Sequence, residues 1–357
     1  MPTTIDSPVI DYESDLEFVV ELVKRAGELI LEGSRKRSIG KGSKVDDKIN
    51  RVDLVTETDK AVEKLIYESI SKRFPNHRFI GEESFVAGDE SSKLTDEPTW
   101  ICDPIDGTTN FVHGFPHVCI SIGFVIKKVP TIGVIYNPFL SQLYTAIRNR
   151  GSFLNQTTRL PLSYPDHLPL KTDLSDSLIA VEWGSNRSKD VMDKKLNSFK
   201  RLVGDPEQIG GAAMCHSLRS IGSAALNFAF VATGQLDIYW EIGCWAWDVC
   251  AGMVIAIESG AKCYGRGGKP INFEEGQDLM GHHFFVVRGI SKDDNNKTDG
   301  NKAASVEDKK GGSGSNKRIR IEEEEEEKEE MFSNVDREKQ DQVARLFFDR
   351  IVEEWDS

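Results

Sequence analysis

The chain has 357 residues, of which 39% are hydrophobic and 29% charged, a composition typical of a folded globular protein with one or two domains. Its formal net charge of -13 argues against nucleic acid as a partner, because a polyanion would be repelled from most of the surface. No apolar run is long enough to cross a membrane and no basic or apolar leader opens the chain, so we expect a cytoplasmic protein with free thiols and no membrane partner.

The first predicted element is a helix. Ser14 and Glu17 form a capping-box pattern, and apolar residues recur at helical spacing from there until Gly33. The charged segment 34–51 that follows is predicted to be flexible. It contains Lys48, which the local sequence alone describes as a solvated charge.

A second helix and a short strand come next, and each brings acidic residues to one of its ends. The helix is predicted from Thr58 to Phe74, with Asp59 in its first turn, where the helix dipole alone explains an acid. Arg78–Gly81 is predicted as a strand whose end delivers Glu82 and Glu83.

The most informative stretch is residues 100–113. Its opening strand is expected to stop at Asp103, because Pro104 has no backbone donor and fixes φ, so that the chain must turn. Asp103 and Asp106 then face a common point. Two anions held this close repel each other unless a cation lies between them, and hard oxygen ligands suit Mg²⁺. The stretch therefore predicts a magnesium site.

A phosphate site is predicted directly beside the metal. Gly107 allows a ligand to approach the backbone closely, and the N–H groups of Gly107 and Thr108, at a predicted helix start, can hold phosphate oxygens. Taken alone, the motif of Asp103, Asp106 and Gly107 is also typical of an Asp-rich surface turn. A calcium loop of the EF-hand type is excluded, because Pro104 and the early Gly107 break its register.

The rest of the chain alternates strands and helices without strict βαβ repeats, which predicts the α+β class. The predicted strands are Cys119–Ile126, Thr131–Tyr136, Leu143–Ala146, Phe153–Leu154, Ser177–Val181, Ile238–Trp240 and Phe284–Arg288. The predicted helices are Lys189–Phe199, Ser223–Thr233 and Val249–Ser259. A further acid, Asp248, directly precedes the last of these helices, where an N-terminal cap is its plainest role.

The segment 291–331 differs from the rest in composition. It contains a Gly/Ser run, the basic cluster Lys317–Arg320 and six consecutive glutamates, Glu322 to Glu327, so we expect a disordered acidic insertion. Apolar residues from Val343 to Trp355 then recur at helical spacing and predict a terminal helix that docks on the core. The predicted domains are a catalytic domain of 1–290 plus 332–357 and the insertion 291–331.

Four segments in the same order and at matched spacing resemble the inositol monophosphatase family, and in particular its eukaryotic members. They are Val52–Asp59, Phe79–Ser84, Trp100–His113 and Trp240–Gly252. The resemblance implies an alternating αβαβα layered sandwich with a metal site between two α+β halves. It also implies a homodimer and inhibition by Li⁺.

The resemblance also implies roles for individual residues. One Mg²⁺ is implied at Glu82, Asp103 and the Ile105 carbonyl, and a second at Asp103, Asp106 and Asp248. The implied catalytic residues, which orient the attacking water, are Glu82, Thr108 and Asp59. The implied substrate contacts are Gly107, Thr108, Ser185, Ala224, Glu241 and Asp248. Lys48 corresponds to a lysine set over the metal loop.

The expected function is Mg²⁺-dependent hydrolysis of inositol monophosphate, a small phosphate monoester, by a metal-activated water. An alternative is a sister phosphatase of the same superfamily that acts on histidinol phosphate, a sugar phosphate or a nucleotide 3'-phosphate. A third hypothesis is a binding protein that kept the fold and lost turnover, but the intact acidic residues argue against it.

Overall fold

The computed structural model of the chain describes residues 11–40, 45–48, 54–162, 170–273, 278–290 and 336–356. The predicted insertion 291–331 lies outside these ranges, so the division into two domains remains a prediction. The helices are α1 Tyr12–Ser38, α2 Glu57–Arg73, α3 Thr108–His113, α4 Lys189–Val203, α5 Ala224–Thr233, α6 Ala246–Glu258 and α7 Arg337–Leu346. None of the helices in the described ranges combines the length and apolar character that a bilayer crossing requires.

The strands agree closely with the expected ones and add several short strands. They are β1 Val45–Asp47, β2 Leu54–Thr56, β3 Arg78–Gly81, β4 Thr99–Asp106, β5 Cys119–Ile126, β6 Val129–Asn137, β7 Gln142–Ile147, β8 Ser152–Leu154, β9 Thr158–Arg159, β10 Leu178–Val181, β11 Ser217–Arg219, β12 Ile238–Ile242, β13 Lys262–Tyr264 and β14 His283–Val287.

Within the described ranges, two mixed sheets and three helical layers alternate. The large sheet has the order β3-β4-β5-β6-β7-β8-β9, and the small sheet has the order β11-β10-β12-β14-β13. Helices α1 and α2 cover one face of the large sheet, α5 and α6 fill the space between the sheets, and α4 and α7 cover the outer face of the small sheet. The α+β class and the αβαβα sandwich are confirmed.

Strand alternation assigns side chains to these layers. In β4, Trp100 and Cys102 pack toward α1 and α2, while Ile101 packs toward α5 and α6. In β12, Trp240 joins the outer core and Tyr239 faces the central helices. Because side chains alternate between the faces of a sheet, Glu241 also points into the central layer.

The first helix begins earlier and ends later than expected. Its N-cap is Asp11, whose carboxylate accepts a hydrogen bond from the Ser14 N–H at 3.2 Å, so the predicted Ser14 capping box was wrong. The helix also continues through Gly33 to Ser38. A Cβ at position 33 would lie 2.6 Å from Thr58 Oγ1, so this glycine allows the close approach of α2 instead of ending α1.

The expected stop of β4 at Asp103 was also wrong, because the strand runs to Asp106. A β-bulge absorbs Pro104: Asp103 pairs with Ser121 and Asp106 pairs with Cys119. On the other side, β3 ends its pairing at Cys102, so Pro104 faces no ladder that would need its missing donor.

The terminal segment completes the outer layer as expected, although its helix is shorter. After α7 the chain forms a π-helical turn at Phe347–Ile351 and then extends to residue 356. Phe347, Ile351 and Trp355 are buried against the small sheet. The Gln340 side chain donates to three main-chain carbonyls, those of Gly260, Val287 and Arg288, which fixes α7 on β14.

Helix α6 lies unusually close to the large sheet because β5 and β6 carry glycines beneath it. A Cβ on Gly133 would overlap the Ala251 carbonyl oxygen. We expect Gly133→Ala to lower the free energy of unfolding by about 1–3 kcal/mol, since the added methyl must push α6 away from the sheet. Thermal unfolding of the variant and the wild type would measure this loss of stability.

Gly210→Ala is the matched control, because a Cβ there meets nothing within 4 Å. Equal melting temperatures for the two variants would contradict the close packing of α6.

Candidate metal and phosphate site

Two aspartates of β4 and one of α6 converge where β4 meets the central helices. Carboxylate oxygens of Asp103, Asp106 and Asp248 all lie within 4.8 Å of one another. Asp103 and Asp106 flank the bulge of β4, and Asp248 lies in the first turn of α6. The close packing of α6 on the sheet is what brings the third aspartate to the other two.

Asp103 is the central carboxylate of this group. Its Oδ1 accepts from the Ile105 N–H at 2.9 Å, which orients the side chain within the bulge. Glu82, just past the end of β3, lies close enough to Asp103 for each carboxyl to affect the pKa of the other. Burial and then the charge of Glu82 hold the pKa of Asp103 well above its usual range. In the described ranges, Glu82 lies at the edge of the group, outside the three residues whose oxygens are all within 4.8 Å of one another.

Asp106 is fixed from the central layer. It accepts from Ser223 Oγ at 2.6 Å and from the Ala225 N–H at 2.7 Å, both at the N-terminus of α5. Burial raises the pKa of Asp106 to about 6, although these donors act in the opposite direction. The role of Ser223 was missed: Gly222-Ser223 signals a helix start, but the pattern does not name the distant carboxylate that the hydroxyl meets.

Asp248 caps α6, but from inside the first turn of the helix. Helix α6 begins at Ala246, so Asp248 is the third helical residue and not a residue before the helix. Its carboxylate accepts from the Trp245 N–H at 2.6 Å, which fixes it within the first turn. Desolvation, followed by the charges of Asp106 and Glu82, raises its pKa well above the ordinary value.

Thr108 and Asp59 form a connected pair next to these carboxylates. Thr108 Oγ1 lies 3.3 Å from Asp59 Oδ1 and 3.1 Å from the Ile105 carbonyl oxygen. The other oxygen of Asp59 accepts from the Thr56 N–H at 2.9 Å, in a capping box that starts α2. Burial raises the pKa of Asp59 to about 6. Asp59, whose position in the first turn of α2 the helix dipole alone could explain, therefore also contacts the site.

Gly107 links β4 to α3 in a left-handed conformation, with φ of +93°. A Cβ there would lie 2.8 Å from the His117 carbonyl oxygen, so both the conformation and the space favour glycine. Asn110, one turn further, donates to the Ile221 carbonyl at 2.6 Å. This bond joins the start of α3 to the loop that leads into α5.

Lys48 is not the solvated charge that its local sequence indicated. Its Nζ lies 2.6 Å from Glu82 Oε1 and 2.7 Å from Glu83 Oε1, and only 24% of its side chain is exposed. Burial would lower its pKa, but the two carboxylates outweigh burial and raise it. Lys48 supplies positive charge at the Glu82 side of the aspartate group.

The other three expected substrate contacts, Ser185, Ala224 and Glu241, belong to the central layer and the small sheet. Glu241 of β12 accepts from the Tyr239 hydroxyl, and burial together with Glu182 raises the pKa of Glu241 to about 8. Ala224 is the first residue of α5 and is buried, whereas Ser185 lies on an exposed turn after β10.

Glu182 connects the small sheet to the loop before α5, a role that the sequence analysis did not predict. One of its oxygens accepts from the Ile221 and Gly222 N–H groups at 2.9 and 3.0 Å, and from Asn227 Nδ2 at 2.9 Å. The end of β10 is thereby fixed to the loop before Ser223. Nothing in the local sequence around Glu182 distinguishes it from an ordinary acid at a strand end.

The chain resembles known proteins along most of its length. The model of the inositol monophosphatase family matches residues 11–308. Protein qutG of Emericella nidulans is 42% identical over 266 residues, which cover 72% of this chain and 80% of that protein. Human Inositol monophosphatase 1 is 37% identical over 282 residues, which cover 79% of this chain and 94% of that protein. The solved structure of inositol monophosphatase from Anabaena aligns with a TM-score of 0.61 at 28% identity, covering 80% of this chain and 94% of that one.

The repulsion within the aspartate group predicts a pH effect on the metal-free chain. Burial raises the folded-state pKa of Glu82 from its ordinary 4.5 to about 7, so between these values the folded chain binds more protons than the unfolded chain. The free energy of unfolding should therefore fall as pH rises through this window. Melting temperatures of chelator-treated protein at several pH values would measure the fall, and added Mg²⁺ should reverse it at pH 7.

Asp248→Asn should weaken both effects, because it removes one of the repelling charges and one metal-binding oxygen. Asp190→Asn, at an exposed residue of α4 paired with Lys194, is the matched control. A chelated wild type with no fall between pH 4.5 and 7, or an unchanged Mg²⁺ response in Asp248→Asn, would contradict this account.

Proposed function

The chain belongs to the inositol monophosphatase family and is a phosphoric monoester hydrolase, and we propose that it hydrolyses inositol monophosphate to inositol and phosphate with Mg²⁺ as its cofactor. The observation that carries the proposal is the convergence of Asp103 and Asp106 of β4 with Asp248 of α6 beside the left-handed turn at Gly107.

The donor set fits a hard divalent cation. Each of the converging groups offers carboxylate oxygen, which Mg²⁺ prefers. Burial raises the pKa of all three aspartates, and neighbouring carboxylates raise those of Asp103 and Asp248 further, so a bound cation would favour their charged forms. Residues that would hold the metal are Glu82, Asp103, Asp106, Asp248 and Ile105 through its carbonyl. When bound, Mg²⁺ would make a water more acidic and offset the negative charge of the phosphate.

Side chains of this protein orient the attacking water. Thr108 Oγ1 is within hydrogen-bonding distance of both Asp59 and the Ile105 carbonyl, so its hydroxyl is held in one direction and presents a lone pair to a neighbouring water. Glu82 lies across the group and offers a second acceptor. The water is then aligned for attack on phosphorus, and its proton passes to one of these acceptors. As the new bond to phosphorus forms, the bond from phosphorus to the alcohol oxygen breaks, and that oxygen takes up a proton so that the alcohol and phosphate are released.

The phosphate would lie against the start of α3. The Gly107 and Thr108 N–H groups can donate to its oxygens without interference from a side chain at position 107. Ala224, next to the Ser223 that fixes Asp106, borders the same space. Since Asp106 is held by donors of α5, the metal and phosphate parts of the site keep one relative position.

The alcohol part of the substrate would meet the small sheet. Glu241 faces the central layer and can accept hydrogen bonds from ring hydroxyls, and Ser185 can contribute a further hydroxyl. A polyol such as inositol suits acceptors of this kind.

We further propose a homodimeric cytoplasmic enzyme, as the family resemblance implies. An inactive binding protein is disfavoured, because the metal-binding and water-orienting residues are all present.

A panel of phosphate monoesters tests the proposal. We expect Mg²⁺-dependent phosphate release that is fastest with inositol monophosphate, and loss of at least 100-fold in kcat for Asp103→Asn, because a metal ligand is lost. Asp190→Asn is the control of equal chemistry and should retain activity. Faster hydrolysis of histidinol phosphate, a sugar phosphate or a nucleotide 3'-phosphate would contradict the proposed substrate and favour the sister phosphatase. Phosphate release at the same rate without Mg²⁺ would contradict the proposed cofactor.

Glu241→Gln tests the alcohol side separately. The change keeps the size of the side chain and removes its charge, so it should reduce kcat/KM for inositol monophosphate about tenfold, equivalent to about 1.4 kcal/mol, by weakening contacts to the ring hydroxyls. Hydrolysis of 4-nitrophenyl phosphate, which has no such hydroxyls, is the internal control. Equal losses for both esters would remove Glu241 from substrate recognition.

A further inference from the structure

A buried lysine lies near the expected alcohol side of the site and has no part in the mechanism above. Lys195, in the middle of α4, is 2% exposed. Its Nζ donates to the main-chain carbonyl oxygen of Glu182 at 3.2 Å and also to that of Trp183. A buried ammonium is costly unless charges and hydrogen bonds compensate it, so its surroundings indicate what it does.

The register of the small sheet places the carbonyls that this ammonium binds next to the strand position of Glu241. Strands β10 and β12 are parallel, with Val181 opposite Trp240, so their carboxyl ends lie side by side. The carbonyls that Lys195 binds follow Val181 directly, and Glu241 follows Trp240. Burial lowers the pKa of Lys195 to about 8, while the negative charge of Glu241, and more weakly that of Glu182, acts in the opposite direction. Arg187 adds to the lowering of this pKa.

Lys195 also supports the turn that carries Ser185. Gly184 adopts a left-handed conformation with φ of +59°, and a Cβ there would lie 3.4 Å from Lys195 Nζ. Arg187 Nε donates back to the Gly184 carbonyl at 2.9 Å. The ammonium therefore fixes the main chain just before Ser185, and the left-handed turn directs the residues that follow.

Trp355, in the segment that follows α7, contacts the ammonium of Lys195. The ring of Trp355 lies 5.0 Å from Lys195 Nζ, within the range of a cation–π contact. Trp355 is itself buried, and packs edge to face on Trp240 of β12 at 5.7 Å between ring centroids. A residue near the end of the chain thus holds the lysine against the strand that carries Glu241.

We propose that Lys195 is a positioning residue for recognition of the polyol: it holds the Ser185 turn and places a positive charge beside Glu241. The inference rests on the proposed function, because it assigns Ser185 and Glu241 to the alcohol side of the substrate. Lys195 touches neither the phosphate nor the aspartates in this account. Its loss should therefore change binding of the polyol and leave the hydrolytic step intact.

Lys195→Met is the main test, since methionine fills a similar channel without charge or donors. We expect KM for inositol monophosphate to rise about tenfold with kcat within about twofold of wild type, and kinetics with 4-nitrophenyl phosphate to stay unchanged. Lys189→Met is the matched control, because that lysine is on the same helix with 89% of its side chain exposed. Equal changes with both esters, or no change with either, would overturn the proposal.

A second pair of variants keeps the test decisive if Lys195→Met does not fold. Trp355→Leu removes the aromatic ring over the ammonium, whereas Trp355→Phe keeps a ring. We expect a rise in KM for inositol monophosphate that is larger for the leucine variant, with 4-nitrophenyl phosphate again unaffected. Identical KM values in the two variants would count against the role of Lys195.

Failure of the proposed function is recognised separately. If the wild type does not hydrolyse inositol monophosphate, the Kd of the best polyol phosphate from the panel, measured by calorimetry with Mg²⁺, replaces KM. An increase of about tenfold in Lys195→Met supports the positioning role, and an unchanged Kd overturns it. A wild type that neither hydrolyses nor binds any polyol phosphate overturns both proposals.

Discussion

Repulsion among buried carboxylates is the constraint on which the arrangement of the site depends. Asp103, Asp106 and Asp248 are each held by main-chain donors, so they cannot separate to relieve their mutual repulsion. The packing of α6 and α5 on the sheets supplies the energy that keeps them together. A divalent cation would turn the same closeness into favourable coordination, which explains why the fold retains an arrangement that is unfavourable by itself.

Much of the fold could be predicted from local patterns, because strand alternation and helical spacing depend on neighbours in sequence. The central strands and helices were found in this way. Errors arose where a distant contact overrides the local signal. Gly33 resembles a helix end, but it lies where α2 passes, and Pro104 resembles a strand end, but it lies in a bulge with no partner on one side.

The candidate site was predictable to a different extent. The acids Asp103 and Asp106 follow from a short motif, whereas Asp248 offers only a cap signal locally and was joined to them through the family resemblance. The partners that fix these acids could not be predicted. Ser223, Glu182 and Lys195 act through contacts between residues far apart in the chain, and no local pattern specifies which carboxylate or carbonyl they meet.

The docking of α7 has a consequence for biosynthesis. Part of the outer face of the small sheet is covered by residues 343–355, which leave the ribosome only after segment 291–335 has been made. Until then Trp240 and Phe285 lack the aromatic neighbours Phe347 and Trp355. A message that stopped after codon 290 would yield a chain that keeps Asp103, Asp106 and Asp248 but exposes the apolar part of the sheet face that α7 and the residues after it cover, which favours aggregation.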